Sequence, residues 1–368
     1  MKELEVNRKR LFALLKDMVD IYSPSGKEEE LTDYLEDYIR QHGLVVRRQS
    51  VDEGRDNLII GSGNVSDQLL FLGHIDTVPA FDIEEFEFSQ SGGRCYGLGT
   101  SDMKSGCAAM IEGFISAREN GGLPESATLA LVVGEEESGD GTEALLETFS
   151  FKEALVAEPT SLQPCLEHFG YVEMLIRTYG YRRHAAMASR ETNAVRCMLN
   201  YLLRLEDRIE EEPDTIINIR DLHSSESGFA VPDQCAAAVD LHIPPGVSSS
   251  DYAVEAQEFS NEQLNSTGAS HYEIEFPTRT DGYTIGESVS LVRGLKEVYR
   301  RTHMEWKPAA FRSHSDANLL RDAGCDALIL GPGQLSLAHT IDESVDFEEV
   351  LRAARIYSLL LNDLGISS

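Results

Sequence analysis

Hydrophobic positions along the chain follow two different rhythms. Leu11, Leu14, Leu15, Met18 and Val19 recur at helical spacing and predict an amphipathic helix. SPSG (23–26) breaks it. Ser25 is placed to cap a second helix, along which Leu31, Tyr34, Leu35, Tyr38 and Ile39 form one face. The next signals are short, continuous apolar runs: QLLFLGH (68–74), ATLALVVG (127–134), EALVAEPT (153–160) and, far along the chain, DALILGPG (326–333). Such runs read as strands buried on both faces. With helices such as 103–118 between them, they predict an α/β domain whose mainly parallel sheet is doubly covered.

The middle of the chain changes character. YVEMLIRTYG (171–180) alternates as a half-buried strand does, and NAVRCMLNYLLRLEDRI (193–209) has helical periodicity. TIINIRDL (215–222) and CAAAVDLHI (235–243) read as two strands, 249–264 as a helix and HYEIEF (271–276) as a last strand. That β-α-β-β-α-β order is the ferredoxin-like unit. After about 278 the pattern returns to helix, strand, helix. We therefore expect an α/β domain built from 1–170 and 278–368, interrupted by an inserted α+β domain over 171–277.

The bulk numbers narrow the function classes. A length of 368 residues suits two domains, and 42% hydrophobic with 26% charged residues is a globular composition. No apolar run approaches the roughly 20 residues that span a bilayer. The N-terminus reads as a mature amphipathic helix rather than a signal peptide. A formal net charge of −31 argues against a nucleic-acid partner, whose phosphates would be repelled, and favours solubility. A salt-tolerant source would also account for it. The six cysteines are widely spaced without a CxxC, which reads as buried free thiols in a reducing cytoplasm.

Candidate chemistry sits in loops, most of them directly after apolar strands. His74 and Asp76 lie in GHIDTVP, Asp102 in GLGTSDMKSG, Glu135, Glu136 and Glu137 in VVGEEESG, Glu158 in AEPT and His339 in AHTIDES. Each has a plain reading on its own: Asp76 orienting a buried histidine, Asp102 capping a helix, the glutamates splayed into solvent. Together they form a set that loops at the carboxyl ends of strands can bring to one rim. Two imidazoles with four or five carboxylates suit zinc, with cobalt or manganese as substitutes. A pair of cations sharing a bridging carboxylate would balance that many anions.

In that order, GHIDTVP, GxGxSDMKSG, GEEESG, AEPT and AHxxxE resemble the motifs of the zinc aminoacylase and carboxypeptidase G-like metallopeptidases. That family includes acetylornithine deacetylase, succinyl-diaminopimelate desuccinylase and peptidase T. The resemblance implies a catalytic domain with an inserted lid that also dimerises, and two bound divalent metal ions. It implies His74, Asp102 and Glu158 on one metal, and Asp102, Glu137 and His339 on the other, with Asp102 bridging. Asp76 would orient His74, Glu136 would be the general base, and the Asp102–Met103 peptide would be cis. A second register, Glu135 as base and Glu136 as ligand, stays open; the first is preferred because the family's acidic pair directly precedes x-Gly, here Ser138-Gly139. His184 matches the lid histidine that reaches a neighbouring subunit's active site, which implies a homodimer.

Two departures leave the substrate open. Where many relatives carry an Asn and an Arg that grip a substrate carboxylate, this chain has Ala230 and His242. Arg312, in FRSHSDANLL, offers either a substitute fork or a structural ion pair, and His314 beside it either a substrate contact or a packing role. There is no GxSxG and no Walker motif. The expected function is a cytoplasmic, two-metal amide hydrolase acting on N-acyl amino acids, with an exopeptidase or dipeptidase as the alternative. The rival of another class is a non-catalytic metal-binding relative.

Overall fold

A computed structural model describes residues 5–61, 68–80, 86–189, 193–225 and 228–366. The chain divides into two units, one of Met1–Leu166, Ile285–Phe311 and Ser315–Ser368, the other of Glu167–Thr284 and Arg312–His314.

The first unit is the expected α/β layer structure. Its sheet runs in the order Val46–Asp52, Arg55–Ile60, Ala127–Val132, Gln68–His74, Phe151–Pro159, Asp326–Gly331, with Cys165 paired to Ile329 beyond it. The four apolar runs read from the sequence form its centre, and neighbours among them are parallel. All six residues of Ala127–Val132 are buried, which is why that run shows no alternation. The edge is an antiparallel hairpin, Val46–Asp52 with Arg55–Ile60, which the apolar pattern did not reveal. Helix Lys104–Glu119 lies against the sheet at atomic contact: a side chain at Gly106 would meet the Ala157 carbonyl oxygen at 2.4 Å. Helices Arg8–Asp20 and Phe347–Ile366 pack on it in turn. Helices Glu29–Gln41 and Asp140–Thr148 pack against the hairpin.

Ser25 does not cap the second helix. The N-cap is Glu28, without a side-chain bond, and the Ser25 hydroxyl donates to Asp76 Oδ2 at 2.7 Å. All six cysteines are free and buried. Among the described residues no helix is long and apolar enough to cross a membrane.

The second unit has the β-α-β-β-α-β order. Its antiparallel sheet runs Ile216–Ser224, Gln234–Ile243, Gly170–Tyr179, His271–Glu275. Helices Ala194–Glu210 and Ser249–Thr267 supply the other half of its core, with Tyr201, Leu205 and Leu264 packed against Val172, Met174, Val239 and Leu241. Asn193 and Ser248 cap those helices by accepting from Arg196 N and Asp251 N.

Candidate metal centre

Two neighbouring parallel strands begin the site. Gln68–His74 ends on His74, and Phe151–Pro159 carries Glu158 one residue before its end. Asp102 arrives from the loop before helix Lys104–Glu119, across a cis Asp102–Met103 peptide. His74 Nε2 lies 3.3 Å from Asp102 Oδ1 and 3.8 Å from Glu158 Oε1. The other oxygen, Asp102 Oδ2, is 3.6 Å from His339 Nε2, which is 2.9 Å from Glu136 Oε2. The side chains therefore form two clusters, His74–Asp102–Glu158 and Asp102–Glu136–His339, each with donor atoms within 4.8 Å of one another. Asp102 belongs to both, one oxygen turned to each histidine.

The acidic run sits one residue out of the preferred register. Glu136, not Glu137, stands beside His339; Glu137 is exposed and in neither cluster. Glu135 points to the site from the other side, with Oε2 3.8 Å from His74 Nε2. The physical reason is Asp76. Its two oxygens accept from Glu135 N at 3.2 Å and Glu136 N at 3.1 Å, which turns those two residues inward. Asp76 also meets His74 Nδ1, through its backbone oxygen at 3.1 Å and Oδ1 at 3.5 Å. One buried carboxylate thus orients both the first imidazole and the acidic turn.

Sequence reasoning gave no role to Glu343, quoted only as the last residue of AHxxxE. It is 4% exposed, and its carboxylate accepts from Gly99 N at 3.0 Å, Ser101 N at 2.8 Å and Asp102 N at 3.0 Å. It holds the backbone that presents Asp102. Asp316, the first residue of a helix capped by Ser315 and Asn318, is also buried, and its Oδ2 has no partner.

The electrostatics express uncompensated negative charge. Burial, and then the neighbouring carboxylates, push Glu135 and Glu158 well above the usual carboxylate range, against the opposing pull of His74. Burial also raises Glu136, with His339 opposing and Asp102 adding. His74 is raised well above an ordinary imidazole: burial works against its charge, but Asp102, Asp76, Glu135 and Glu158 prevail. His339 is raised to about 9, chiefly by its bond to Glu136. Glu136 Oε1 and Glu158 Oε1 are buried without hydrogen-bond partners. Unpartnered carboxylate oxygens beside two imidazoles are what divalent cations would satisfy, so the residues fit a metal pair.

The remaining candidates lie in the second unit. His184 is exposed at the start of a short 3-10 turn, its Nδ1 accepting from Ala186 N at 3.2 Å. Arg312 pairs with Asp214 at 3.4 Å and lies 5.2 Å over the Phe169 ring. His314 stacks on Tyr171 with centroids 4.3 Å apart, and His242 lies 5.5 Å from the same ring with a buried, unpartnered Nδ1. Tyr171 donates to Asp240 Oδ1 at 2.7 Å.

Residues 70–363 match the profile of Peptidase family M20/M25/M40. The chain belongs to that family. It is accordingly a hydrolase of a metal-dependent peptidase and deacylase class, and the family resemblance read from its motifs is borne out. The chain is 27% identical over 357 residues to a putative [LysW]-lysine/[LysW]-ornithine hydrolase of Pyrobaculum aerophilum, covering 96% of this chain and 97% of that one. It is 26% identical over 357 residues to an acetylornithine deacetylase of Vibrio cholerae, covering 90% of each. A tripeptidase from Staphylococcus aureus has the same fold, with a TM-score of 0.80 at 19% identity over 99% of this chain and all of the other.

Proposed function

We propose that this M20 chain is a two-metal amide hydrolase that removes the acyl group from an N-acyl amino acid. The observation that carries the reading is Asp102, whose two carboxylate oxygens face two separate histidine-containing clusters. His74, Asp102 and Glu158 would hold one divalent ion, and Asp102, Glu136 and His339 the other. Zinc fits the nitrogen and oxygen donor set, with cobalt or manganese as alternatives. Such a pair would supply Lewis-acid polarisation of the scissile carbonyl and activation of water.

The chain's own residues do the rest. Glu135 stands against the site but in neither cluster, and it serves as the general base, carrying a proton from water to the leaving nitrogen. Burial raises that carboxyl above the usual carboxylate range, the direction that helps it hold the proton taken from water before passing it to the leaving nitrogen. Asp76 fixes the tautomer and orientation of His74. Names of relatives support an acyl-amino-acid substrate, since hydrolase and deacetylase activities on lysine and ornithine derivatives recur among them. The tripeptidase neighbour motivates the second reading, an exopeptidase. Arg312, His314 and His242 would recognise the substrate's polar ends, and His184 would serve the active site of a second subunit in a homodimer. Free buried cysteines favour a cytoplasmic setting.

The test is a panel of N-acyl amino acids and di- and tripeptides, assayed with zinc-, cobalt- and manganese-loaded protein. Hydrolysis only of substrates with a blocked α-amino group is the expected result. A requirement for a free α-amino group would turn the assignment to a peptidase. Activity on nothing in the panel would leave the non-catalytic metal-binding reading.

A further inference from the structure

The turn that presents Glu135 and Glu136 is held from beneath as well as from Asp76. Its first residue, Gly134, has φ +76, and a side chain there would lie 2.0 Å from Asp140 Oδ1 and 2.4 Å from Arg55 Nη2. The backbone therefore rests directly on an ion pair. Arg55 opens the hairpin's second strand, and Asp140 opens helix Asp140–Thr148 at the far end of the turn. Nη1 of Arg55 donates to Asp140 Oδ2 and Nη2 to Oδ1 at 3.1 Å. The same guanidinium reaches Glu28, with Nη2 3.0 Å and Nε 3.3 Å from Oε1. The Glu28 side chain is fully buried and that of Arg55 is 14% exposed.

The adjoining residue on that face of the strand completes the grip. Asn57 accepts from Val133 N at 3.2 Å and donates to the Gly141 carbonyl at 2.7 Å. Within the turn, Ser138 N and Gly139 N donate to the Gly134 carbonyl at 3.0 and 2.8 Å. Both ends of the acidic turn are thus tied to one strand, and its middle is tied to Asp76.

We propose that Arg55 is a positioning residue for Glu135, forked between Glu28 and Asp140 so that the turn keeps that carboxylate facing His74. The inference rests on the assignment of Glu135 as general base. A planar guanidinium can meet two carboxylates along two edges at once, whereas an ammonium cannot hold the same geometry. A misplacement of the order of 1 Å in a proton-transfer group costs about a hundredfold in rate. The competing account is that Arg55 only neutralises buried Glu28. That account predicts a loss of stability and nothing else.

Arg55→Lys and Asp140→Asn separate the two. The expected result is a fall in kcat of at least about tenfold, KM within about twofold, and a displaced acid limb of the kcat–pH profile. Arg48→Lys is the control, because Arg48 pairs with Asp33, Glu36 and Asp56 and touches none of the turn residues; it should leave kcat and the profile alone. In Arg55→Gly, added guanidinium should restore part of kcat. If Arg55→Gly does not fold, the lysine and asparagine variants decide. Wild-type kcat and pH profile in both, with only a lower melting temperature, would overturn the proposal. Glu135→Gln, assayed alongside, keeps the two readings apart. Full turnover there would remove the base assignment itself, whereas an inactive Glu135→Gln with normal Arg55 and Asp140 variants would remove only the positioning role.

Discussion

The two clusters that share Asp102 are built differently. His74 and Glu158 ride on adjacent parallel strands and are 1% and 3% exposed, so the sheet itself sets their separation. His339 comes from a loop, at φ +57 and with half its side chain exposed, and Glu136 comes from a turn. The strand-borne side chains take their separation from the sheet, with Asp76 adding the orientation of the His74 ring. Loop-borne ones rely on auxiliary contacts, which is why Asp76 takes the amides of Glu135 and Glu136. Glu343, four residues past His339, gathers three amides around Asp102 in the same way. One side of the site is therefore a floor set by the sheet, and the other a wall of loop residues braced from behind, with the His339 side chain half exposed and that of Glu136 6% exposed.

The sharpest test of that contrast is the residue assigned to neither cluster. Glu135→Gln should retain both metal ions by elemental analysis and lose turnover by about 10²–10⁴-fold, the usual worth of a general base. Loss of a metal ion in that variant would make Glu135 a ligand and redraw the first cluster. Next in size is the pair His339→Ala and His74→Ala. His339→Ala should bind one metal equivalent where the parent binds two, with activity down about a hundredfold. His74→Ala should lower metal content further and also destabilise the fold, because it leaves Asp102 and Glu158 buried without their cationic neighbour. Equal metal loss and equal melting temperatures in the two variants would erase the floor-and-wall distinction.

Much of this was legible in the residues before any coordinates. His74 and Glu158 close continuous apolar runs, and continuous runs mark central parallel strands. Asp102 and His339 stand near glycines that interrupt elements. What escaped was whatever depends on distant partners. Ser25 has the chemistry of a helix cap, but its hydroxyl goes to Asp76, 51 residues away. The role of Glu343 lies in three backbone amides some 240 residues earlier, and no local pattern announces it. Strand Val46–Asp52 has only its first residue buried, so as an edge strand it carried no apolar alternation. The phase of the acidic run depends on distant partners in the same way. Counting back from Ser138-Gly139 chose Glu136 and Glu137, whereas the turn is phased from its other end, by Gly134 and the two amides on Asp76.

The contrast also has a pH signature. Both imidazoles are raised in the metal-free protein, His339 to about 9 through Glu136 and His74 well above its ordinary value despite burial. A metal ion binds only the neutral ring, so loading near neutral pH displaces protons. Affinity should rise with pH by about one decade per unit for each proton displaced. At the His339 cluster the rise should flatten once pH passes about 9, the value to which that ring is raised. Titration calorimetry in buffers of different ionisation enthalpy reads the proton count directly. A pH-independent affinity between 6 and 8 would mean that no imidazole proton is displaced when the metal binds.

The smallest expected effect tests the register. Glu137 is exposed and in neither cluster, and it is one residue from a carboxylate that faces His339 at 2.9 Å. An exposed side chain without a structural partner contributes little, so Glu137→Ala should leave kcat, KM and metal content within about twofold of the parent and stability within about 0.5 kcal/mol. Glu136→Ala, one position earlier, should lose a metal equivalent. The two variants differ by a single step along the chain and by one hydrogen-bond pattern, the pair of amides on Asp76. If instead Glu137→Ala lost the metal and Glu136→Ala kept it, the turn would have to slide by one residue in solution, breaking both bonds to Asp76. That outcome would move the base from Glu135 to Glu136 and with it every role assigned to the wall of the site.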